Sequence, residues 1–387
     1  MAKVAGKKSS LVWAVHLSVA VLVVLWLLPT TGLFISSFRT ADQIATSGWW
    51  SSLFSQEQNL VLRTADPSTQ RQEGNLWIIE GNVLSEGGAS AEAEISTWGT
   101  SSRAIGEYEP GATADMGDDG RVTLQANGDY RLESDAEMTG SRGERIFVTA
   151  ELPPEFTLGN YQTVLFSAST TDSMAKAFFN TLTVTIPATV IPIVIAAFAA
   201  YALAWMEFPG RALLIAAVVA LLVVPLQLAL IPLLRLHLSI GIGKGYLGVW
   251  LAHTGFGLPL AIYLLRNYMV GLPRDIIECA KVDGATDFQI FTRIILPLSF
   301  PALASFAIFQ FLWTWNDLLV AKVFLIDATG ETTVMTNQIV ELLGTRGGNW
   351  EILATAAFVS IAVPLLVFFF MQRYLVRGLL AGSVKGG

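Results

Sequence analysis

Long apolar stretches restrict the fold of this chain more than any other feature. A helix needs about 20 apolar residues to cross a hydrocarbon core of about 30 Å. Only 14% of the 387 residues are charged, whereas a soluble domain carries about 25%. The sequence therefore predicts an all-α polytopic membrane protein with six transmembrane helices. These spans are expected near residues 11–35, 177–205, 211–235, 246–266, 299–326 and 352–372.

The basic residues predict how the spans are oriented. The stretch 11–35 is too long for the apolar region of a signal peptide and has no small-residue cleavage site, so we expect it to be retained. Cytoplasmic loops are enriched in Lys and Arg, which predicts that both termini are cytoplasmic. In that orientation eleven basic residues lie inside: Lys3, Lys7, Lys8, Arg211, Arg266, Arg274, Lys281, Arg293, Arg373, Arg377 and Lys385.

Residues 46–155 are predicted to form an acidic, β-rich domain outside the cytoplasm, inserted between helices 1 and 2. Between Arg39 and Lys176 the chain has 21 acidic and nine basic residues. Asn127-Gly128 separates the alternating runs RVTLQ and DYRLE, which is a strong hairpin signal. Further strand candidates are NLWIIEGNVL and RIFVTAEL. A small sandwich or barrel fits this pattern, and a poorly ordered loop is the alternative.

Residues 267–298 form a polar interruption between two apolar spans. Pro273 is placed where a helix can begin, and Gly284 can close that helix in a left-handed conformation. Thr286 and Gln289 then match a capping box, which starts a second helix. Pro297 is expected to end it. The segment therefore predicts two short helices that meet at a glycine, which we call the elbow.

The elbow carries one apolar stripe with charged residues away from it. At spacings of three and four the stripe contains Ile277, Ala280, Gly284, Phe288, Phe291 and Ile295. Off the stripe are Glu278, Lys281, Asp283 and Asp287. A capped amphipathic elbow suits docking into the groove of a partner. A helix that lies on the lipid surface is the alternative reading.

The elbow resembles the EAA signature of binding-protein-dependent ABC importer permeases. The match consists of Glu278-Cys279-Ala280, then Gly284 after three residues, and Ile294-x-Leu296-Pro297 nine residues later. The one departure is Cys279, where the family usually has alanine. Cysteine is small and readily buried. The resemblance implies that this loop is the coupling helix, which docks onto a cytosolic ATPase. The residues expected to couple are Glu278, Cys279, Ala280, Asp283, Gly284, Ile294, Leu296 and Pro297.

Other segments resemble the second permease subunit of maltose-type sugar importers. They include ISSFRT, FTLGNYQTVL, FFNTLTVTIPATV, AAYALAWMEFPGR and FLWTWNDLLVA. The tail QRYLVRGLLAGSVKGG is similar to the C-terminus with which that family reaches its ATPase, which implies contacts by Gly382, Val384, Lys385 and Gly386. A disordered end is the alternative. The acidic insert departs from the maltose type and resembles the enlarged outer loop of α-glucoside-type permeases.

The resemblance implies a three-part chain in a bacterial inner membrane. Residues 1–45 hold the cytoplasmic N-terminus and first helix, 46–155 the periplasmic insert, and 156–387 a five-helix core. That core includes the coupling loop 267–298 and the cytoplasmic tail 373–387. The implied partners are a second homologous permease in a heterodimer, two copies of a cytosolic ABC ATPase and a periplasmic sugar-binding protein, with no nucleic acid.

We expect no catalytic activity, cofactor or metal centre in this chain. The phosphate-binding pattern G-x-x-x-x-G-K-[ST] is missing, because Gly6-Lys7-Lys8 and Gly243-Lys244-Gly245 both fail it. ATP and magnesium are therefore expected on the partner ATPase subunits. The chain has three scattered histidines and one cysteine, which argues against a metal site. A membrane enzyme gains little support from the sequence.

A polar cluster in the fifth span is the candidate translocation path. Asn316 and Asp317 are costly at membrane depth and usually face a cavity or the bundle interior. Trp313 and Trp315 offer flat apolar faces for a sugar. Hydrogen bonding between helices is the alternative for Asn316 and Asp317. Packing or polar contacts are the expected role of Asn180, Gln227, His253 and Gln310.

Two other functions remain open at the level of the sequence. The first is a membrane-anchored sensor or assembly protein whose outer domain binds a ligand. The second is a permease for a non-sugar solute such as a polyamine or phosphate, since the elbow is shared across the importer family. The leading prediction is a sugar importer permease, with an α-glucoside or maltose-type oligosaccharide as its substrate.

Overall fold

The structure, a computed structural model, describes residues 10–88, 93–117, 120–139, 142–166, 174–326, 329–345 and 348–381. The chain divides into two compact units, residues 1–158 and residues 159–387. Unit 1 contains one long apolar helix and all eight strands that the structure describes. Unit 2 is helical.

Unit 1 begins with the apolar helix and continues as a two-sheet domain. Its helices are α1 Ser10–Ser36, α2 Ala41–Thr46 and α3 Val83–Glu86. Its strands are β1 Gln56–Arg63, β2 Arg71–Glu73, β3 Leu76–Asn82, β4 Glu94–Gly99, β5 Thr113–Asp115, β6 Arg121–Leu124, β7 Asp129–Ser134 and β8 Arg145–Leu152. The predicted β-rich domain is therefore present.

The strands form two antiparallel sheets around one apolar core. One sheet has the order β1-β8-β4 and the other has the order β2-β3-β7-β6-β5. Both sheets contribute to a single cluster, in which Trp98, Ile146 and Val148 from the first meet Val122 and Leu132 from the second. Alternate residues of β6, β7 and β8 are buried, which is why the predicted runs there alternate apolar and polar side chains. The domain is a small β-sandwich.

The hairpin predicted at Asn127-Gly128 is confirmed. Strands β6 and β7 pair antiparallel on either side of it, from Arg121 opposite Glu133 to Leu124 opposite Tyr130. Gly128 has φ +86°, a left-handed conformation that glycine adopts without steric cost.

Unit 2 consists of twelve helical segments in its described parts. They are α4 Gly159–Phe166, α5 Met174–Trp205, α6 Arg211–Leu221, α7 Leu226–Ser239, α8 Tyr246–Val270, α9 Arg274–Val282, α10 Asp287–Ile290, α11 Leu296–Leu298, α12 Phe300–Trp315, α13 Leu319–Phe324, α14 Met335–Thr345 and α15 Trp350–Ala381. A π-helical turn, Phe291–Ile295, joins α10 to α11.

Four of the predicted spans are single helices, and two are bent. Helices α1, α5, α8 and α15 are long and apolar enough to cross a membrane. The predicted span 211–235 is broken instead, since α6 and α7 meet at 109°. Pro225 precedes α7 in an extended conformation. A proline disfavours the helical conformation in the residue before it, which explains the break. The described chain thus has four to six candidate spans.

The predicted span 299–326 differs most from the structure. Helix α12 ends at Trp315, and α13 follows after a short break. At its other end, α12 meets the preceding helix at an angle of 70°. The structure also contains α14, within a region that the sequence analysis left as a loop. The predicted tail from residue 373 is helical as far as Ala381, and residues 382–387 lie outside the described part of the chain.

Candidate functional site

The first helix of the elbow closes in a Schellman motif at Gly284. Gly284 has φ +80°. Its N–H donates to the carbonyl of Lys281, and the N–H of Ala285 donates to the carbonyl of Ala280, both at 3.0 Å. These two bonds satisfy carbonyls that the end of a helix leaves open. The bend predicted at Gly284 is therefore present, and it depends on a backbone conformation that favours glycine.

The second helix of the elbow begins with the predicted capping box. The side chain of Thr286 accepts the N–H of Gln289 at 3.3 Å, and the side chain of Gln289 accepts the N–H of Thr286 at 2.9 Å. Pro297 does not end this helix, contrary to the prediction. The helical path continues to Leu298, and Ser299 precedes the bend into α12. Pro297 directly follows the π-helical turn, within a helical path that is continuous from Asp287.

The inner face of the elbow is packed against its own unit. Ile277, Ile290, Phe291 and Ile295 are buried in a cluster that includes residues of α5, α8 and α12. The Phe291 ring lies 4.6 Å from the ring of Phe198, measured between centroids. Three members of the apolar stripe, Ile277, Phe291 and Ile295, are thus packed within the chain and are not free to dock onto a partner.

Two members of the predicted stripe do not belong to the inner face. Phe288 is 65% exposed, and Gly284 is exposed as well. Ile290, which the stripe omitted, is fully buried in their place. The reason is the left-handed residue, because it interrupts the helix and resets the 3.6-residue period of the following turn.

The outer face of the elbow is open and mixed in character. Glu278, Cys279 and Asp283 are exposed, and Val282 is 87% exposed beside them. Ala280, Ile294 and Leu296 are half-buried, and Pro297 is exposed. Within the described residues, neither Glu278 nor Asp283 has an ion-pair partner. Charged and apolar groups therefore lie side by side on a surface that no described residue of the chain covers.

One hydrogen bond ties the outer face to a long helix. The hydroxyl of Tyr201, on α5, donates to Oδ1 of Asp287 at 3.3 Å. Tyr201 also packs on Phe291, with 5.3 Å between ring centroids. The sequence analysis missed Tyr201 because no local pattern shows which side chain of a distant helix will reach the elbow.

A second polar group surrounds the end of α12. His253 on α8 is fully buried, and its Nε2 lies 3.6 Å from Oδ2 of Asp317. Asp317 also accepts the backbone N–H groups of Val320 and Ala321, at 3.3 and 3.0 Å. These bonds cap α13 and explain why an acid stands at the break between α12 and α13.

The four predicted path residues do not form one surface. Trp315 is 1% exposed, and its Nε1 donates to the carbonyl of Ser360 at 2.9 Å. Trp313 is 40% exposed and meets the His253 ring edge-on. Asn316 is exposed, and its amide donates to the carbonyl of Leu312. Trp315 thus serves packing in this structure, whereas Trp313 and Asn316 present open faces.

The residues expected to make polar packing contacts largely do so. The side chain of Asn180 donates to the carbonyls of Glu331 and Thr333 and accepts from the Tyr246 hydroxyl, all within 2.9 Å. Gln310 is buried and donates to the carbonyl of Ala188. Gln227 is exposed on α7. In the part of the chain that the structure describes, no group of three His, Cys, Asp or Glu residues could hold a metal ion.

Comparisons with known proteins identify relatives that match this arrangement. A family model described as "Binding-protein-dependent transport system inner membrane component" matches residues 169–380. The chain is 60% identical to the alpha-glucoside transport system permease protein AglG of Rhizobium meliloti, over 99% of both chains. It is also 60% identical to the osmoprotective compounds uptake permease protein GgtD of Synechocystis, over 60% of this chain and 76% of that protein.

Solved structures of ABC transporters match this chain at low sequence identity and low structural similarity. A bacterial importer of the polysaccharide alginate matches with a TM-score of 0.48 and 22% identity, over 58% of this chain and 81% of that one. The methionine importer MetNI matches with a TM-score of 0.43 and 18% identity, over 53% and 95% of the two chains. The family model covers more than half of this chain, and one relative matches it along nearly its whole length. The chain therefore belongs to the inner membrane components of binding-protein-dependent transport systems, the permease subunits of ABC importers.

Proposed function

We propose that this permease subunit carries an α-glucoside or maltose-type oligosaccharide. The observation that supports it is the 60% identity to an alpha-glucoside permease over 99% of both chains. An alignment of that extent includes the β-sandwich of residues 56–152, so the relative has a matching segment. The proposal thus rests on the whole chain and not only on the membrane core.

A second substrate class, an osmoprotective solute, has support from the Synechocystis relative. Its identity is also 60%, but the match covers only 60% of this chain. The full-length match favours the α-glucoside. Uptake by the reconstituted importer tests the choice: labelled maltose, sucrose and trehalose should accumulate with ATP. Unlabelled α-glucosides should compete, whereas β-glucosides and betaine should not. Competition by betaine alone would reject the sugar assignment.

We propose a topology of six spans with both termini in the cytoplasm. In this arrangement α6 with α7 forms one bent span, α12 with α13 forms the fifth span, and the elbow lies in the cytoplasm between the fourth and fifth spans. The β-sandwich then lies outside the cytoplasm, between the first and second spans. The distribution of basic residues supports this orientation. The location is the bacterial inner membrane.

The elbow is proposed to couple this chain to a cytosolic ATPase through its outer face. Glu278, Cys279 and Asp283 provide exposed polar contacts, and Val282 and Phe288 provide exposed apolar ones. The packed inner face also supports this coupling role. A force that the ATPase applies to the outer face of the elbow would pass through the inner face to α5, α8 and α12. Two ATPase copies, which hold ATP and magnesium, would close on such elbows and reorient the spans between inward-facing and outward-facing states.

Membership of the family supports the remaining proposed partners. A second homologous permease would complete the translocation path as a heterodimer, and a periplasmic sugar-binding protein would deliver the substrate. The tail residues Gly382, Val384, Lys385 and Gly386 are proposed to contact the ATPase. Loss of ATPase stimulation after deletion of 382–387, with the complex still assembled, would support this role.

Fewer residues are proposed to contact the sugar than the sequence predicted. Trp313 and Asn316 have the exposed aromatic face and the exposed amide that a sugar needs. Asp317 and His253 lie behind them and hold the break between α12 and α13 in place. Trp315 is assigned to packing.

A further inference from the structure

An apolar surface lies where the β-sandwich joins α1. Its members are Trp50, Leu53, Phe54, Phe156 and Leu158, which are between 51% and 70% exposed; we call this surface the collar. Apart from α1, unit 1 exposes only one other large apolar side chain among its described residues, Val61 on β1. Exposed apolar side chains are thus concentrated at one end of the domain.

The collar is assembled from the segments that leave and re-enter the sandwich. Gln56 pairs with Leu152 at the edge where β1 begins and β8 ends. The chain before Gln56 carries Trp50, Leu53 and Phe54, and the chain after Leu152 carries the other two members. The N–H of Thr157 donates to the carbonyl of Phe38 at 2.7 Å, so the returning segment is held at the end of α1.

The collar is fixed at a definite position along α1. A Cβ on Gly32 would lie 2.8 Å from Nε1 of Trp49, so that ring packs directly on the helix backbone. Gly32 lies four residues before Ser36, the last residue of α1, which at 1.5 Å per residue is about 6 Å. The turn Trp49–Ser51 therefore folds back onto the final turn of an apolar, membrane-spanning helix.

Buried hydrogen bonds make this junction rigid. Arg39 is 2% exposed, and its Nη2 donates to the carbonyls of Gln43 and Ser47 and to the Ser47 hydroxyl, at 2.6 to 2.9 Å. The guanidinium thereby closes the end of α2, which directly precedes the tryptophans. The collar is a built surface and not the incidental exposure of a loose loop.

We infer that the collar lies in the lipid interface of the membrane leaflet where α1 ends, and that it fixes the height of the β-sandwich above that leaflet. Tryptophan and other aromatic side chains are enriched at this depth because their rings are amphipathic. Residues 43–56 carry no charged side chain, although the surrounding region is strongly acidic. That neutrality suits contact with lipid, and Glu155 is the one charged residue of the collar's second segment, 153–158.

Single cysteines allow a direct test. The chain has one cysteine, so Cys279→Ala provides a background for Trp50→Cys, Phe54→Cys and Leu158→Cys. Val61→Cys is the matched control, since Val61 and Phe54 are 61% and 67% exposed. Each variant is assembled into the importer, labelled with a nitroxide and reconstituted in phosphatidylcholine and phosphatidylglycerol vesicles. Collision rates with oxygen and with a water-soluble nickel chelate are then measured by electron paramagnetic resonance.

A nitroxide in contact with lipid differs from one in water in its relative collision rates with oxygen and with the nickel chelate. At positions 50, 54 and 158 oxygen should collide more often than nickel, whereas at position 61 the ratio should reverse. Preferential access of nickel at the collar would overturn the proposal, because the collar would then face water. Low access of both reagents would also overturn it, and would identify a protein partner as the cover. Three independent collar positions keep the test decisive if one variant fails to assemble.

Discussion

Replacement of Gly284 by alanine should weaken the elbow by a calculable amount. The residue has φ +80°, and nothing lies within 4 Å of an added Cβ, so a clash with neighbours plays no part. The left-handed conformation itself costs an L-residue about 1–2 kcal/mol. Alanine recovers about 0.4–1 kcal/mol by restricting the unfolded chain. The net loss is about 1 kcal/mol, or about fivefold in the ratio of formed to unformed elbow.

A second left-handed glycine, outside the elbow, provides a control. It distinguishes a loss of coupling to the ATPase from a general effect of backbone strain. Gly210 has φ +83° and is equally open around its Cβ position, so Gly210→Ala should incur the same backbone cost outside the elbow. Asparagine tolerates the left-handed conformation better than alanine does. Gly284→Asn should therefore retain more function than Gly284→Ala.

The assay is ATP hydrolysis stimulated by the binding protein, measured together with uptake in reconstituted vesicles at equal amounts of assembled complex. Gly284→Ala should reduce both, Gly284→Asn should reduce them less, and Gly210→Ala should leave the stimulation near the unmodified level. Full stimulation in Gly284→Ala would refute the argument. An equal loss in Gly210→Ala would show that strain anywhere in the chain is sufficient.

Four further substitutions test other residues. Thr286→Ala removes the N-cap of the second elbow helix, costs about 1 kcal/mol, and should lower the same stimulated hydrolysis. Burial in the β-sandwich raises the pKa of Tyr130 to about 12, so its neutral form stabilises the fold. The contribution of Tyr130 to the free energy of unfolding is complete below the ordinary tyrosine pKa of about 10 and is lost as pH rises towards 12. Tyr130→Phe should abolish this part of the pH dependence, which thermal unfolding measures. Trp313→Ala should raise the half-saturating sugar concentration for uptake and leave assembly intact, whereas Trp315→Ala should lower stability by about 3–5 kcal/mol, which thermal unfolding of the purified chain measures.

The sequence predicted those parts of the fold that rest on local patterns. Long apolar runs identified α1, α5, α8 and α15, because hydropathy alone decides whether a helix can lie in lipid. Asn127-Gly128 identified a hairpin through its turn chemistry. The capping box at Thr286 and the left-handed Gly284 were also accessible, since each depends on a few neighbouring residues.

The missed features depend on backbone breaks and on distant contacts. Hydropathy does not register a bend, so the break at Pro225 and the break between Trp315 and Leu319 were absent from the predicted spans. The bend at Ser299 coincides with the predicted start of the span 299–326. Pro225 was itself a usable signal. The predicted apolar stripe of the elbow was wrong at Phe288. The 3.6-residue helical period had been continued through Gly284, although the left-handed conformation there changes which residues of the next helix face inward. The burial of Trp315 against α15 could not be predicted from the sequence, because composition does not distinguish a tryptophan that packs from one that faces a cavity.

The native Cys279 offers the most direct test of the central claim, that the outer face of the elbow binds a cytosolic ATPase. It is the only cysteine in the chain and is exposed. In inside-out vesicles a membrane-impermeant maleimide should label Cys279 readily when the permease is assembled without the ATPase, and labelling should be strongly reduced when the ATPase is present. In right-side-out vesicles no labelling is expected. Equal labelling with and without the ATPase, or labelling from outside, would contradict the account.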